Sequence, residues 1–76
     1  MKELLTDIAK RLVRNPDQVS VNEKSDGDTV VLELSVAADD MGKVIGRHGK
    51  IAKAIRSIMK IAAVRENKKV VVDIIG

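Results

Sequence analysis

The run Gly42-Lys43-Val44-Ile45-Gly46-Arg47-His48-Gly49-Lys50-Ile51 decides how this chain is read. Two glycines, Gly46 and Gly49, bracket a cation and an ionisable imidazole. Glycine at both ends lets the backbone turn sharply and approach another chain with no Cβ in the way. The second glycine opens a stretch patterned as a long helix, from about Lys50 to Arg65, whose first N–H groups and dipole favour an anion. Lys43, Arg47 and Lys50 surround the turn with positive charge. Gly-x-x-Gly alone also suits an ordinary helix–helix turn, so the flanking sequence has to decide between the two.

Working outward, Asp39 or Asp40 is placed to cap a short helix running to about Ile45. Before it, Val30, Leu32, Leu34 and Val36 recur at period two, which predicts a strand with one buried face. Ser25-Asp26-Gly27-Asp28 has the Asp-Gly chemistry of a tight hairpin turn, and Val19 and Val21 predict a short partner strand. Leu4, Leu5, Ile8, Leu12 and Val13 form the stripe of an amphipathic helix over residues 3–14, with Asn15-Pro16 expected to end it. After the long helix, Glu66-Asn67-Lys68-Lys69 turns the chain into a last strand carrying Val70, Val72 and Ile74. The predicted order is helix, strand, strand, helix, helix, strand. This is a single α+β domain over residues 1–76, with a three-stranded sheet covered on one face by three helices. A hairpin beside a parallel, right-handed crossover makes the sheet mixed.

Composition narrows what such a domain can do. Its 76 residues include no cysteine and one histidine, which removes disulfides and leaves no basis for a metal site; no cofactor is expected. With no Phe, Tyr or Trp, platforms that stack bases on aromatic rings are excluded. No run approaches a membrane span and the N-terminus lacks a signal-peptide pattern, so a cytoplasmic, non-membrane location is expected. The net charge of +3 is unevenly divided: residues 1–42 hold five basic and nine acidic residues, residues 43–76 nine basic and two acidic. Such a split suits either a surface built for a polyanion or a merely solvated basic face.

The run from Gly42 to Arg56 resembles the signature of KH domains, and the element order is similar to their type II arrangement. Over its whole length the chain resembles the bacterial KhpA (YlqC) family of small single-KH-domain proteins. The resemblance implies that about four unpaired nucleotides of RNA would lie in a cleft, with the loop clamping their backbone. The cleft residues would be Lys43, Val44, Ile45, Gly46, Arg47, His48, Gly49, Lys50, Ile51 and Lys53. The opposite wall would come from the strand of residues 30–36 and the Glu66–Lys69 loop. It further implies a homodimer, or a pairing with a KhpB-like (Jag, EloR) protein linked to cell elongation and division.

On the long helix, Ile51, Ile55, Ile58 and Ala62 form one stripe, with Met59, Ala52 and Ala63 on one side and Ala54 and Ile61 on the other. That apolar arc is wider than one sheet face requires. It suits a deeply buried helix or, as the resemblance favours, a second subunit packed against Ala54, Ser57 and Ile61. Lys53, Arg56 and Lys60 lie opposite the core stripe and read as a solvated face. His48 has neither an orienting partner nor a nucleophile nearby in sequence, so no enzymatic activity and no small-molecule substrate are expected. A protein-assembly module and a single-stranded DNA binder remain the alternatives to an RNA binder.

Overall fold

The computed structural model describes residues 1–75, with elements α1 (Lys2–Leu12), β1 (Ser20–Asp26), β2 (Thr29–Ser35), α2 (Met41–Ile45), α3 (Lys50–Arg65) and β3 (Lys69–Ile75). Single 3₁₀ turns sit at Pro16–Gln18, Ala38–Asp40 and Arg47–Gly49. The sheet order is β1-β2-β3, with β1 antiparallel to β2 and β3 parallel to it. This is the mixed sheet, helix order and type II KH arrangement expected from the sequence.

Period-two patterning sends Val30, Leu32 and Leu34 inward, in register with Val70, Val72 and Ile74 of β3. Leu5 and Ala9 of α1, Val44 of α2 and Ile55 and Met59 of α3 close over them. The other sheet face carries Asn22, Lys24 and Glu33, joined by a 2.9 Å hydrogen bond from Asn22 Nδ2 to Glu33 and a 3.5 Å ion pair between Lys24 and Glu33. In the hairpin, Asp26 pairs with Thr29, so the two turn residues are Gly27 and Asp28 rather than the expected Asp26-Gly27. Gly27 has φ +61°, and a positive φ at the first turn position only is the II′ pattern.

Several local expectations need correction. Helix α1 ends at Leu12, three residues before the prolyl peptide, because Val13 is extended (φ −99°, ψ 161°). That bend carries the N–H groups of Arg14 and Asn15 to Asp40: Arg14 N–H donates to Oδ1 at 3.1 Å, Asn15 N–H to Oδ2 at 3.0 Å, and Asn15 Nδ2 to Oδ2 at 2.9 Å. Asp40 therefore does not cap α2. Its side chain makes no cap hydrogen bond and is spent on α1's exit. Burial works to raise the pKa of this carboxyl. The three hydrogen bonds and the charge of Lys43 outweigh burial and hold it below the ordinary 3.8. Asp39 lies outside this pocket, 3.5 Å from Asn15 Nδ2.

The buried stripe of α3 is Ala52, Ile55, Met59 and Ala63, turned toward the Met59 side of the predicted arc. Ile58, expected in the core, is 44% exposed. The sheet meets the helix on one half of its apolar arc, and Ala54, Ile58 and Ile61 are left uncovered on the other.

Candidate nucleic-acid interface

The stretch between α2 and α3 is built from backbone conformations that most residues avoid. Gly46 has φ 76° and ψ 173°, His48 φ 57° and ψ 24°, and Gly49 φ 72° and ψ 17°. The first of these is open essentially to glycine only. A Cβ on Gly46 would also lie 2.6 Å from Ile51 Cγ1, so Gly46 is required on two independent grounds. Gly49 needs its φ but has open space around its Cα. His48 occupies the left-handed region, which histidine tolerates better than most side chains.

Hydrogen bonds fix the shape. Gly46 N–H donates to Gly42 O at 2.9 Å and closes α2, and Gly49 N–H donates to Gly46 O at 3.1 Å. The side chains of Arg47 and His48 are both exposed, ahead of the positive end of a 16-residue helix. A chain that turns here thus presents side-chain donors and cations outward, with no carboxylate in the loop itself.

The expected cleft residues fall into three groups. Arg47, His48, Lys50 and Lys53 are exposed, Ile45 is partly so, and Lys43, Gly46, Gly49 and Ile51 are half-buried. Val44 is fully buried at 0% exposure, so it supports the loop from inside the core and cannot touch a ligand. Its place in the expected cleft is withdrawn: in a five-residue helix, only one of two adjacent apolar residues can face outward.

Of the two parts of the expected far wall, the Glu66–Lys69 loop reaches the α3–β3 edge, where Lys68 and Lys69 line a cavity with Lys60 and Val70, but the strand does not. The strand of residues 29–35 is the sheet's centre, paired on both edges, so it has no free edge to line a cleft. The wall beside α3 is β3. Arg56 Nε–H donates to Val72 O at 3.3 Å, and a cavity of about 260 Å³ opens among Arg56, Lys60, Val70, Val71 and Val72. Arg56 and Lys60 therefore border the seam between α3 and the sheet edge instead of forming a plain solvated face. Among the described residues, none of Lys43, Arg47, Lys50, Lys53, Arg56 and Lys60 is in an ion pair.

On the opposite flank of α3, Ala54, Ser57 and Ile61 are all exposed, Ile61 by 60%. Leu4 of α1 joins Ile58 and Ile61 in lining a shallow depression there. Among the described residues no three His, Cys, Asp or Glu side chains are grouped to hold a metal, and no helix is long and apolar enough to cross a membrane.

Comparison with known proteins places the chain. A family profile for the KhpA/KhpB KH domain matches residues 2–74. The RNA-binding protein KhpA of Clostridium acetobutylicum is 60% identical over 75 residues, covering 99% of this chain and 100% of that protein. The protein of the same name from Clostridium perfringens is 59% identical over the same shares, and that from Chlamydia trachomatis 43% identical over 97% of this chain and 95% of its own length. No solved structure gave a significant match. A full-length match, carried on an α+β fold with its glycine-bracketed loop between two helices, shows that this chain belongs to the KhpA family of KH domains.

Proposed function

We propose that the chain binds single-stranded RNA, clamping a short stretch of sugar–phosphate backbone at Gly46–Gly49. The observation that carries this reading is the loop itself: Gly46 is locked over Ile51 by a steric fit that excludes any side chain, while the side chains of Arg47 and His48 stand exposed beside it. Phosphate oxygens accept from the guanidinium of Arg47 and a ring N–H of His48, and Arg47, Lys50 and Lys53 add counterion release to the affinity. Bases would then lie along the α3–β3 seam on apolar side chains. The naming of the relatives as RNA-binding proteins supports the same ligand. Backbone clamping does not by itself separate RNA from single-stranded DNA, so DNA is the second arm of any binding assay.

The test is the double variant Arg47→Asp with His48→Asp. Aspartate tolerates the left-handed backbone at position 48, so the fold should persist while two anions now face phosphate. Fluorescence anisotropy with labelled unstructured RNA should show binding abolished, with an unchanged circular dichroism spectrum and oligomeric state. Parent-like affinity would remove the clamp.

Self-association is the second part of the proposal, supported by the uncovered patch of Leu4, Ala54, Ser57, Ile58 and Ile61. A second copy, or a KhpB-like partner acting in RNA regulation and cell elongation, would cover it. Ile61→Asp, at an exposed site, should leave a folded protein whose association weakens by about 2 kcal/mol or more, the scale of an interface anchor. Sedimentation that shows no change would remove this interface. If Ile61→Asp dissociates the protein while the loop variant binds RNA normally, the assembly-module reading prevails.

A further inference from the structure

His48 is the chain's only histidine. It is exposed, and the turn between α2 and α3 holds it at φ 57° and ψ 24°. Few side chains accept that left-handed backbone, and asparagine, aspartate and histidine are the enriched ones. Of those three only histidine can become a cation, and imidazole does so within the range of roughly pH 5 to 8.

The surroundings of His48 carry charge of one sign. Its turn packs against α2 and α3. The turn itself contributes Arg47, α2 contributes Lys43, and the first turn of α3 contributes Lys50 and Lys53. Neither helix contains an aspartate or a glutamate, and no acid occurs between Asp40 and Glu66. Asp39 and Asp40 stand at the far end of α2, where Asp40 is buried and bonded to the segment leaving α1. Among the described residues, none of the four cations is in an ion pair. A phosphodiester drawn to the loop is therefore the first anion that the imidazole meets.

We propose that His48 takes up a proton when the strand binds, so that the grip of the clamp on RNA is set by pH. The proposal rests on the RNA-binding reading above and concerns the regulation of the same loop. The buffer acid gives up one proton, and the unprotonated ring nitrogen of the imidazole accepts it. A neutral imidazole has one N–H and an imidazolium two, so the charged ring adds both a donor and a Coulomb attraction to phosphate. Arginine and lysine side chains keep their charge throughout this range, so Arg47, Lys50 and Lys53 supply a constant background. The proton is held more tightly in the complex than in the free protein. The added affinity is therefore complete at the acidic end and is lost as pH rises past neutrality.

The experiment is a calorimetric titration of unlabelled oligouridylate without a terminal phosphate into the parent and into His48→Asn, at fixed ionic strength from about pH 5.5 to about pH 8. Uracil and the phosphodiester hold their charge over this range. Asparagine keeps the left-handed backbone and removes the titration. The parent should bind about fivefold more tightly at the acidic end than at the alkaline end. Near neutrality, heats measured in two buffers of different ionisation enthalpy, PIPES and ACES, should report a net uptake of about half a proton. His48→Asn should show a flat profile and no uptake, with an unchanged circular dichroism spectrum. A parent whose affinity is flat and whose heats do not depend on the buffer would overturn the proton link while leaving the clamp standing. A variant that keeps the parent's slope would do the same. A parent that binds at no pH would overturn the clamp reading and the link with it.

Discussion

Helix α2 has only five residues, and its two ends are held in opposite ways. At its start, Asp40 is completely buried and both of its carboxylate oxygens accept N–H donors from the segment that leaves α1. At its end, the Gly46–Gly49 loop stores three residues at positive φ and turns the side chains of Arg47 and His48 to solvent. A helix this short has no stability of its own. The comparison teaches a division of labour: polar groups satisfied inward at one end fix the helix, so that the other end can keep a costly shape and face its polar groups outward. If so, damage at the loop should disrupt ligand binding, and damage at Asp40 should be felt mainly as stability.

The harshest way to break the comparison is Gly46→Ala. The substitution meets both the glycine-only backbone and Ile51 Cγ1 at 2.6 Å. The combined cost is about 2–5 kcal/mol, a large share of a small domain's stability. Gly49→Ala is its sharpening control: φ is also positive there (72°) but nothing lies within 4 Å of the added methyl, so about 1 kcal/mol is expected. Thermal melts of the two variants should therefore differ clearly, with Gly46→Ala the lower. Equal losses would mean that the contact with Ile51 contributes nothing and that the loop is held by its torsions alone.

What the sequence disclosed and what it hid follow from the range of each interaction. Pro16, Gly27 and the glycine pair punctuate the chain locally, so the element order and the span Lys50–Arg65 could be read directly. The mixed sheet followed from connection lengths. The strand order was implicit as well: a hairpin places β1 beside β2, which leaves only the other edge of β2 for β3. That inference would have moved the cleft's far wall to β3 and brought Arg56 and Lys60 beside it. The choice of Met59 over Ile58 for the core had no such local signal, because an apolar arc half a helix wide does not say where the sheet will lie. Asp40 was hidden for the same reason. Its donors stand 25 and 26 residues away, while the capping preference that suggested its role is a purely local rule.

Asp40→Asn therefore tests the other end of α2, with a smaller expected effect because no volume is added. Asparagine offers one oxygen where aspartate offers two, and its NH₂ must then face either Arg14 N–H or the Asn15 donors. At least one hydrogen bond is lost at neutral pH. The pH dependence carries the sharper signature. The folded-state pKa of Asp40 lies below the ordinary 3.8, so its contribution is fully present above that value and is lost as pH falls through the folded value. The melting temperatures of parent and variant should thus stay a constant distance apart through the mildly acidic range. They should converge only below the ordinary carboxylate pKa, as the parent's carboxyl takes up its proton. RNA affinity measured near neutrality, on variant protein still folded, should change little. A drop in affinity as large as that of the loop variant would show that the two ends of α2 are not separable and that Asp40 sets the geometry of the clamp directly.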